Sequence, residues 1–215
     1  SVSAVTFVSA AAFLEAQQIA YSGHMIAVMA LMEAPAIIVG VILISRYEKE
    51  SPVNSNLLSI TKHSFSNGSV LLILGSLLIG LIADVKQAEG IKPFTTDIFK
   101  GFLAIFLLEM GITTAKRFAA FRRFGLFLSV MALVIPALNG CFVAYASSFI
   151  TSSEGNRFIF AILAASASYI AVPAAMKLAA PKADPGLYIP MALGLTFPFN
   201  ITVGMPLYYT IIAQS

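Results

Sequence analysis

Long apolar runs separated by short polar stretches set the pattern of this chain. The runs are Met25–Ser45, Val70–Ala83, Ile98–Thr114, Gly125–Phe149, Phe158–Leu178 and Leu187–Ala213, rich in Ala, Leu and Met. A helix needs about 20 mostly apolar residues to cross roughly 30 Å of hydrocarbon. Val70–Ala83 is at the short end of that range. The opening run Val2–Leu14 is too short to cross and closes on Glu15-Ala-Gln-Gln. It reads as a half-helix, or as the second half of a span. Lipid admits only helices or closed barrels, and runs of this length and composition are helical. The pattern therefore predicts an all-α polytopic membrane protein.

Composition agrees. The 215 residues are 59% hydrophobic and only 11% charged, against about 25% charged in soluble domains. Thirteen basic and ten acidic side chains cannot cover the surface of a soluble fold this long. The apolar content excludes disorder, and the single cysteine, Cys141, excludes a disulfide scaffold. A net charge of +3, spread over short loops, speaks against nucleic-acid binding.

The charges also orient the chain. Arg46, Lys49, Lys62, Lys116, Arg117, Arg122, Arg123, Lys177 and Lys182 fall in one set of connections, and Lys86, Lys92, Lys100 and Arg157 in the other. By the positive-inside rule the richer set is cytoplasmic. That predicts a multi-pass protein of the cell inner (plasma) membrane with its C-terminus, and the turn near Glu15–Ser22, outside. The polar stretch Tyr47–Asn67 is the natural linker. The expected division is 1–46, a half-helix plus one span; 47–68, a cytoplasmic linker; 69–124, two helices; and 125–215, three more.

An internal likeness runs through the chain. Ser1-Val-Ser3 leads through small residues and a polar turn to a long helix holding Glu33-Ala-Pro35. Ser166-Ala-Ser168 leads through Ala174-Ala-Met and a polar turn to a long helix holding Thr196-Phe-Pro198. Five crossings separate the two copies. An odd count reverses their orientation, which is the inverted-repeat plan of secondary transporters.

Chemistry concentrates at these places. Proline in a helix interior removes a backbone donor and clashes with the preceding turn. Pro173 therefore predicts a broken helix, with Ser166 and Ser168 beside a half-helix N-terminus suited to a small anion. Ser3 and Thr6 lie one turn apart and can face the same cavity. Serine and alanine are equally at home where membrane helices pack closely, and that alternative stays open. Glu33 sits deep in an apolar run, where carboxylates are costly and mark function by default. It precedes Pro35 by two residues, again at an expected break, and is a candidate for sodium or a proton. Glu109 sits nearer a helix end, where snorkelling suffices. Thr196 and Asn200 can offer neutral oxygens to Na+, though Asn200 equally suits a helix–helix hydrogen bond. His24 and His63 lack a metal-ligand companion. No P-loop, zinc motif or nucleophile elbow is present, so an enzyme is not expected.

The stretches SVSAVTFVSAAAFLEAQQIAYSGHMIAVMALMEAPAIIVGVILI and ILAASASYIAVPAAMKLAAPKADPGLYIPMALGLTFPFNITVGMPLY carry a family likeness. Leu14-Glu15, Tyr21 and Met32-Glu33-Ala-Pro35-Ala36 stand in the first. Ala-Ala-Ser166-x-Ser168, Pro173, Lys177, Pro181, Asp184-Pro185, Phe197-Pro198 and Met205-Pro206 stand in the second. With Leu108-Glu-Met-Gly between them, the chain resembles the sodium-dependent bicarbonate transporter family, first described in cyanobacteria, over nearly its whole length.

The resemblance implies two inverted five-helix repeats with discontinuous helices, of which this chain holds about one and a third. Helices before Ser1 are accordingly expected. It nominates Ser3, Thr6, Ser166 and Ser168 for the anion, and Glu33, Ser168, Thr196 and Asn200 for sodium or a proton. It implies Na+-coupled uptake of bicarbonate or a similar small anion by alternating access. The alternatives are a same-fold transporter of an organic acid, or one proton-coupled through Glu33, and a non-transporting subunit or sensor. A homotrimer and a PII-like cytoplasmic regulator are implied as partners. Three positions depart from the family pattern. Tyr169 stands where an acid is usual, Ala4-Val5 where Gly-Ser is usual, and Glu33 where Asp is usual.

Overall fold

A computed structural model describes residues 2–47, 75–76, 78–121, 125–169, 176 and 183–215. Ser1, the 47–68 linker beyond Tyr47 (with Lys49, Lys62 and His63), the start of the Val70–Ala83 run, Arg122, Arg123, Pro173, Lys177, Pro181 and Lys182 lie outside the described residues.

The described residues are helical, without strands. In chain order they form α1 (Ala4–Ala16), α2 (Met25–Tyr47), α3 (Val85–Lys92), α4 (Phe99–Phe121), α5 (Gly125–Ala146), α6 (Glu154–Ala165) and a long composite helix, α7 (Gly186–Ala213). Short polar side chains start them. The Oγ of Ser3 accepts the Thr6 N–H, Ser153 caps α6, and Asp84 and Gln87 form a capping box on α3.

α5 and α7 are long and apolar enough to cross a membrane. Only 11% of the apolar window of α5 is buried, so its apolar surface is not a soluble core. Leu126, Phe127, Leu138 and Phe142 point outward from it, as lipid-facing side chains do. α6 is the opposite case. Phe158, Ile159, Ala161 and Ile162 are fully enclosed, packed on α1, α5 and the last part of α7. Leu14 of α1, Met25 of α2, and Met205 and Tyr208 of α7 complete that core.

α1 and α6 are half-helices. At 1.5 Å per residue each is about 20 Å long, too short to cross the hydrocarbon. They pack together and share a face of the protein. Ser22, in the turn after α1, donates its N–H to Asn156 Oδ1 at 2.8 Å, and Asn156 Nδ2 donates to Ser22 Oγ at 3.0 Å. Arg157, one residue on, reaches the end of α7. The Glu15–Ser22 turn, the start of α6 and the C-terminal end of α7 therefore lie together.

Several expectations change. The Phe158–Leu178 run is interrupted at Ser166, well before Pro173. Ser166 turns to extended backbone (φ −77°, ψ 156°) and its Oγ donates to the Leu163 carbonyl, which replaces a helical bond. α2 runs through Pro35 without ending there, since neighbouring helices can re-satisfy the groups that a proline frees in a membrane helix. Lys86 and Lys92 lie on α3 and Lys100 on α4, not in loops. Arg157 is not a loop residue either. It is in the first turn of α6 and 5% exposed.

α7 alternates between α and wider π geometry. Its π segments, Met191–Thr196 and Asn200–Gly204, precede Pro198 and Pro206. Proline lacks the N–H that the fourth residue back requires, and widening lets that turn close on a later donor. Thr196 and Asn200, on these segments, are buried.

Candidate functional site

The first turn of α1 and the last of α6 meet in the interior. The Ser3 N–H donates to Ser166 Oγ at 3.0 Å, a contact spanning 163 positions of sequence. Ser166 therefore accepts from one half-helix while donating to Leu163 of the other. Ser3, Thr6, Ser166 and Ser168 are all buried, none more than 9% exposed. Thr6 is tied in through its backbone, whose N–H lies 3.3 Å from Ser3 Oγ.

Two helix ends of opposite polarity thus face one junction. The N-terminus of α1 presents the positive end of its dipole and amides without intrahelical acceptors. The C-terminus of α6 presents carbonyls and the negative end. The first suits an anion and the second a cation, the arrangement by which discontinuous helices hold substrate and coupling ion. No group of three or more His, Cys, Asp or Glu side chains that could hold a metal occurs among the described residues.

The other expected residues divide. Asn200 reaches the junction: its Nδ2 donates to the Ala165 carbonyl at 2.9 Å, beside Ser166. Thr196 faces α5 instead and donates to the Ala132 carbonyl at 2.7 Å. That carbonyl lies four residues before Pro136, which has no N–H to give it. The Thr196 proton therefore supplies the bond that the proline withholds. Glu33 is half-buried on α2, and no described hydrogen bond joins it to the junction.

The structure also brings in residues that sequence reasoning passed over. Tyr208 is fully buried, and its hydroxyl lies 3.2 Å from Asn200 Oδ1 and 3.3 Å from the Pro136 carbonyl. It thereby orients the amide that holds Ala165. Gly140 and Gly204 flank its ring, and a methyl group at either would collide with it. The spacing Asn200, Gly204, Tyr208 places all three on one helical face, a signal present in the sequence. Arg157 donates to the Ala144 carbonyl (3.1 Å), the Ile212 carbonyl (3.4 Å) and Ser215 Oγ. Its guanidinium thus holds the carbonyl ends of α5 and α7, where a cation opposes the helix dipole. Nothing in its surroundings in sequence signals this.

Beside α1 a cleft of about 570 Å³ opens between that helix, its following turn and the start of α4. Phe7, Ala11, Thr95, Phe99 and Leu103 line it. α4 itself packs on the first part of α7.

No curated protein matches the chain. The family model described as the Na+-dependent bicarbonate transporter superfamily matches residues 1–213. Apolar membrane-length helices, two half-helices whose buried ends meet and a match over nearly every residue agree, and the chain belongs to the Na+-dependent bicarbonate transporter superfamily.

Proposed function

We propose that this protein takes part in Na+-coupled uptake of bicarbonate or a similar small anion by alternating access. The observation that carries the reading is the Ser3–Ser166 contact. It joins the amide end of one half-helix to the carbonyl end of another inside the protein. Backbone dipoles and hydroxyls at such a place hold a small ion without a formal counter-charge. Ser3, Thr6, Ser166 and Ser168 are assigned to the anion. Asn200 and the carbonyl end of α6 are assigned to sodium, a hard cation that takes neutral oxygens. Thr196 supports that end of the site through its bond to Ala132. Glu33 serves the coupling from α2.

The inverted five-plus-five repeat supports alternating access. The half-helices α1 and α6 approach from one face, as inverted copies of a broken helix require. The polar turn after α1 and the C-terminus then lie outside, in a cell inner membrane. The cleft between α1 and α4 is the boundary along which one part moves against the other.

Labelled bicarbonate uptake into vesicles, with the full-length protein reconstituted and sodium imposed on one side, tests the reading. Uptake that rises with the sodium gradient is the expected result. Uptake indifferent to sodium, or absent from folded protein, overturns it.

A further inference from the structure

Tyr169 follows the two serines of the break, and its side chain is 8% exposed. Its ring is fixed on both sides. Phe197 of α7 meets it edge-on, with centroids 5.9 Å apart at 73°, and Val5 of α1 and Leu193 of α7 pack around it. The hydroxyl is turned towards the Ser3 side chain. It closes no hydrogen bond of ordinary geometry, and its oxygen is a buried polar atom without a partner among the described residues. A buried hydroxyl left so is destabilising, and packing on both sides keeps the ring from carrying it to solvent. Such a group is suited to a bound ligand that completes it.

The surroundings say what that is. Ser3 caps α1, a helix of 13 residues, and the amides of Ala4 and Val5 have no acceptor within it. A phenolic O–H added beside them makes a third donor. Donors at the positive end of a helix dipole call for a ligand rich in acceptor oxygens.

We propose that Tyr169 is a substrate-reading residue whose hydroxyl donates a hydrogen bond to an oxygen of the small oxyanion held at the start of α1. The assignment rests on the anion site proposed above and adds to it a side chain that sets affinity. A neutral donor also recognises the anion without a charge that would hold it permanently.

The Tyr169→Phe variant removes only the hydroxyl and keeps the ring against Phe197. In the full-length protein, sodium-driven bicarbonate uptake is measured in vesicles over a range of bicarbonate concentrations. Melting of the detergent-solubilised protein is followed with and without bicarbonate. A hydrogen bond to a charged ligand is expected to be worth roughly a ten- to hundredfold change, so the half-saturating bicarbonate concentration rises by that factor. The bicarbonate-induced rise in melting temperature shrinks in parallel. Melting without bicarbonate is not lowered, because the lost hydroxyl closes no hydrogen bond of ordinary geometry among the described residues. Native protein that transports alongside a variant of unchanged half-saturation overturns this assignment alone. So does a variant that melts lower without bicarbonate while binding it as before, or one that fails to fold, since the hydroxyl is then structural. Native protein with no sodium-driven bicarbonate uptake overturns the transport reading, and this assignment with it.

Discussion

Replacing Gly140 by alanine places a methyl group where the Tyr208 ring already stands. The new Cβ would lie 2.5 Å from Tyr208 Cε1 and 2.8 Å from its hydroxyl, where carbon contacts are comfortable at about 3.5–4.0 Å. The ring has nowhere to go, because Tyr208 is fully enclosed, with Gly204 close on its other edge. α5 and α7 must separate, or the tyrosine must leave its rotamer. Overpacking of this kind costs about 1–3 kcal/mol. If the ring leaves, the hydroxyl abandons Asn200 Oδ1 and Pro136, and a buried acceptor without its donor adds about 1–3 kcal/mol. If both terms apply, the expected destabilisation is about 2–6 kcal/mol. It is read as a shifted midpoint of reversible unfolding in mixed micelles. Because Asn200 also holds the Ala165 carbonyl beside Ser166, sodium-driven uptake should fall as well. The double variant with Tyr208→Ala separates causes. With the ring gone the methyl group meets nothing there, so the two changes should couple by about 0.5–3 kcal/mol. Gly140→Ala protein as stable as the native one, or two costs that simply add, would refute the slot.

Other perturbations test the remaining contacts. Gly155→Ala would drive a methyl group into the Ala20 backbone carbonyl, so the turn after α1 should detach from α6, with faster amide exchange at residues 19–22 and stability lower by at least about 1–3 kcal/mol. Arg157→Lys keeps the charge but not the planar fork, and should cost about 1–3 kcal/mol in the same unfolding assay, because one ammonium cannot span the Ala144 and Ile212 carbonyls; a lysine variant of native stability would sink the clamp. Ser166→Ala leaves the buried Ser3 N–H without its acceptor. It should cost about 1–3 kcal/mol of stability and raise the half-saturating bicarbonate concentration, while conservative Ser166→Thr, which keeps the hydroxyl, should recover part of both.

The sequence by itself determined the solvent and the class. Runs as long and apolar as Gly125–Phe149 and Leu187–Ala213 cannot be dissolved with 11% charged residues, and no partner information is needed to see it. The same local reading singled out Ser3 and Ser166, because serine hydroxyls in small-residue runs can serve either a helix break or close helix packing. Local rules went astray where the deciding partner is remote. The stretch from Ala164 to Pro173 signalled a break, but not that α6 ends where Ser166 finds both the Leu163 carbonyl and the Ser3 amide. The sequence offered the Thr196 oxygen to an ion but could not show where its proton goes, which is to Ala132, because a different proline, Pro136 on α5, left that carbonyl without a donor. Arg157 looked like one more loop cation, yet it is buried against the ends of two helices that follow and precede it in the chain. Hydrophobic periodicity reports which face of a helix avoids water. Only the tertiary structure decides which carbonyl, amide or hydroxyl stands opposite a given side chain, because those partners lie tens to hundreds of residues away and meet only when the helices pack.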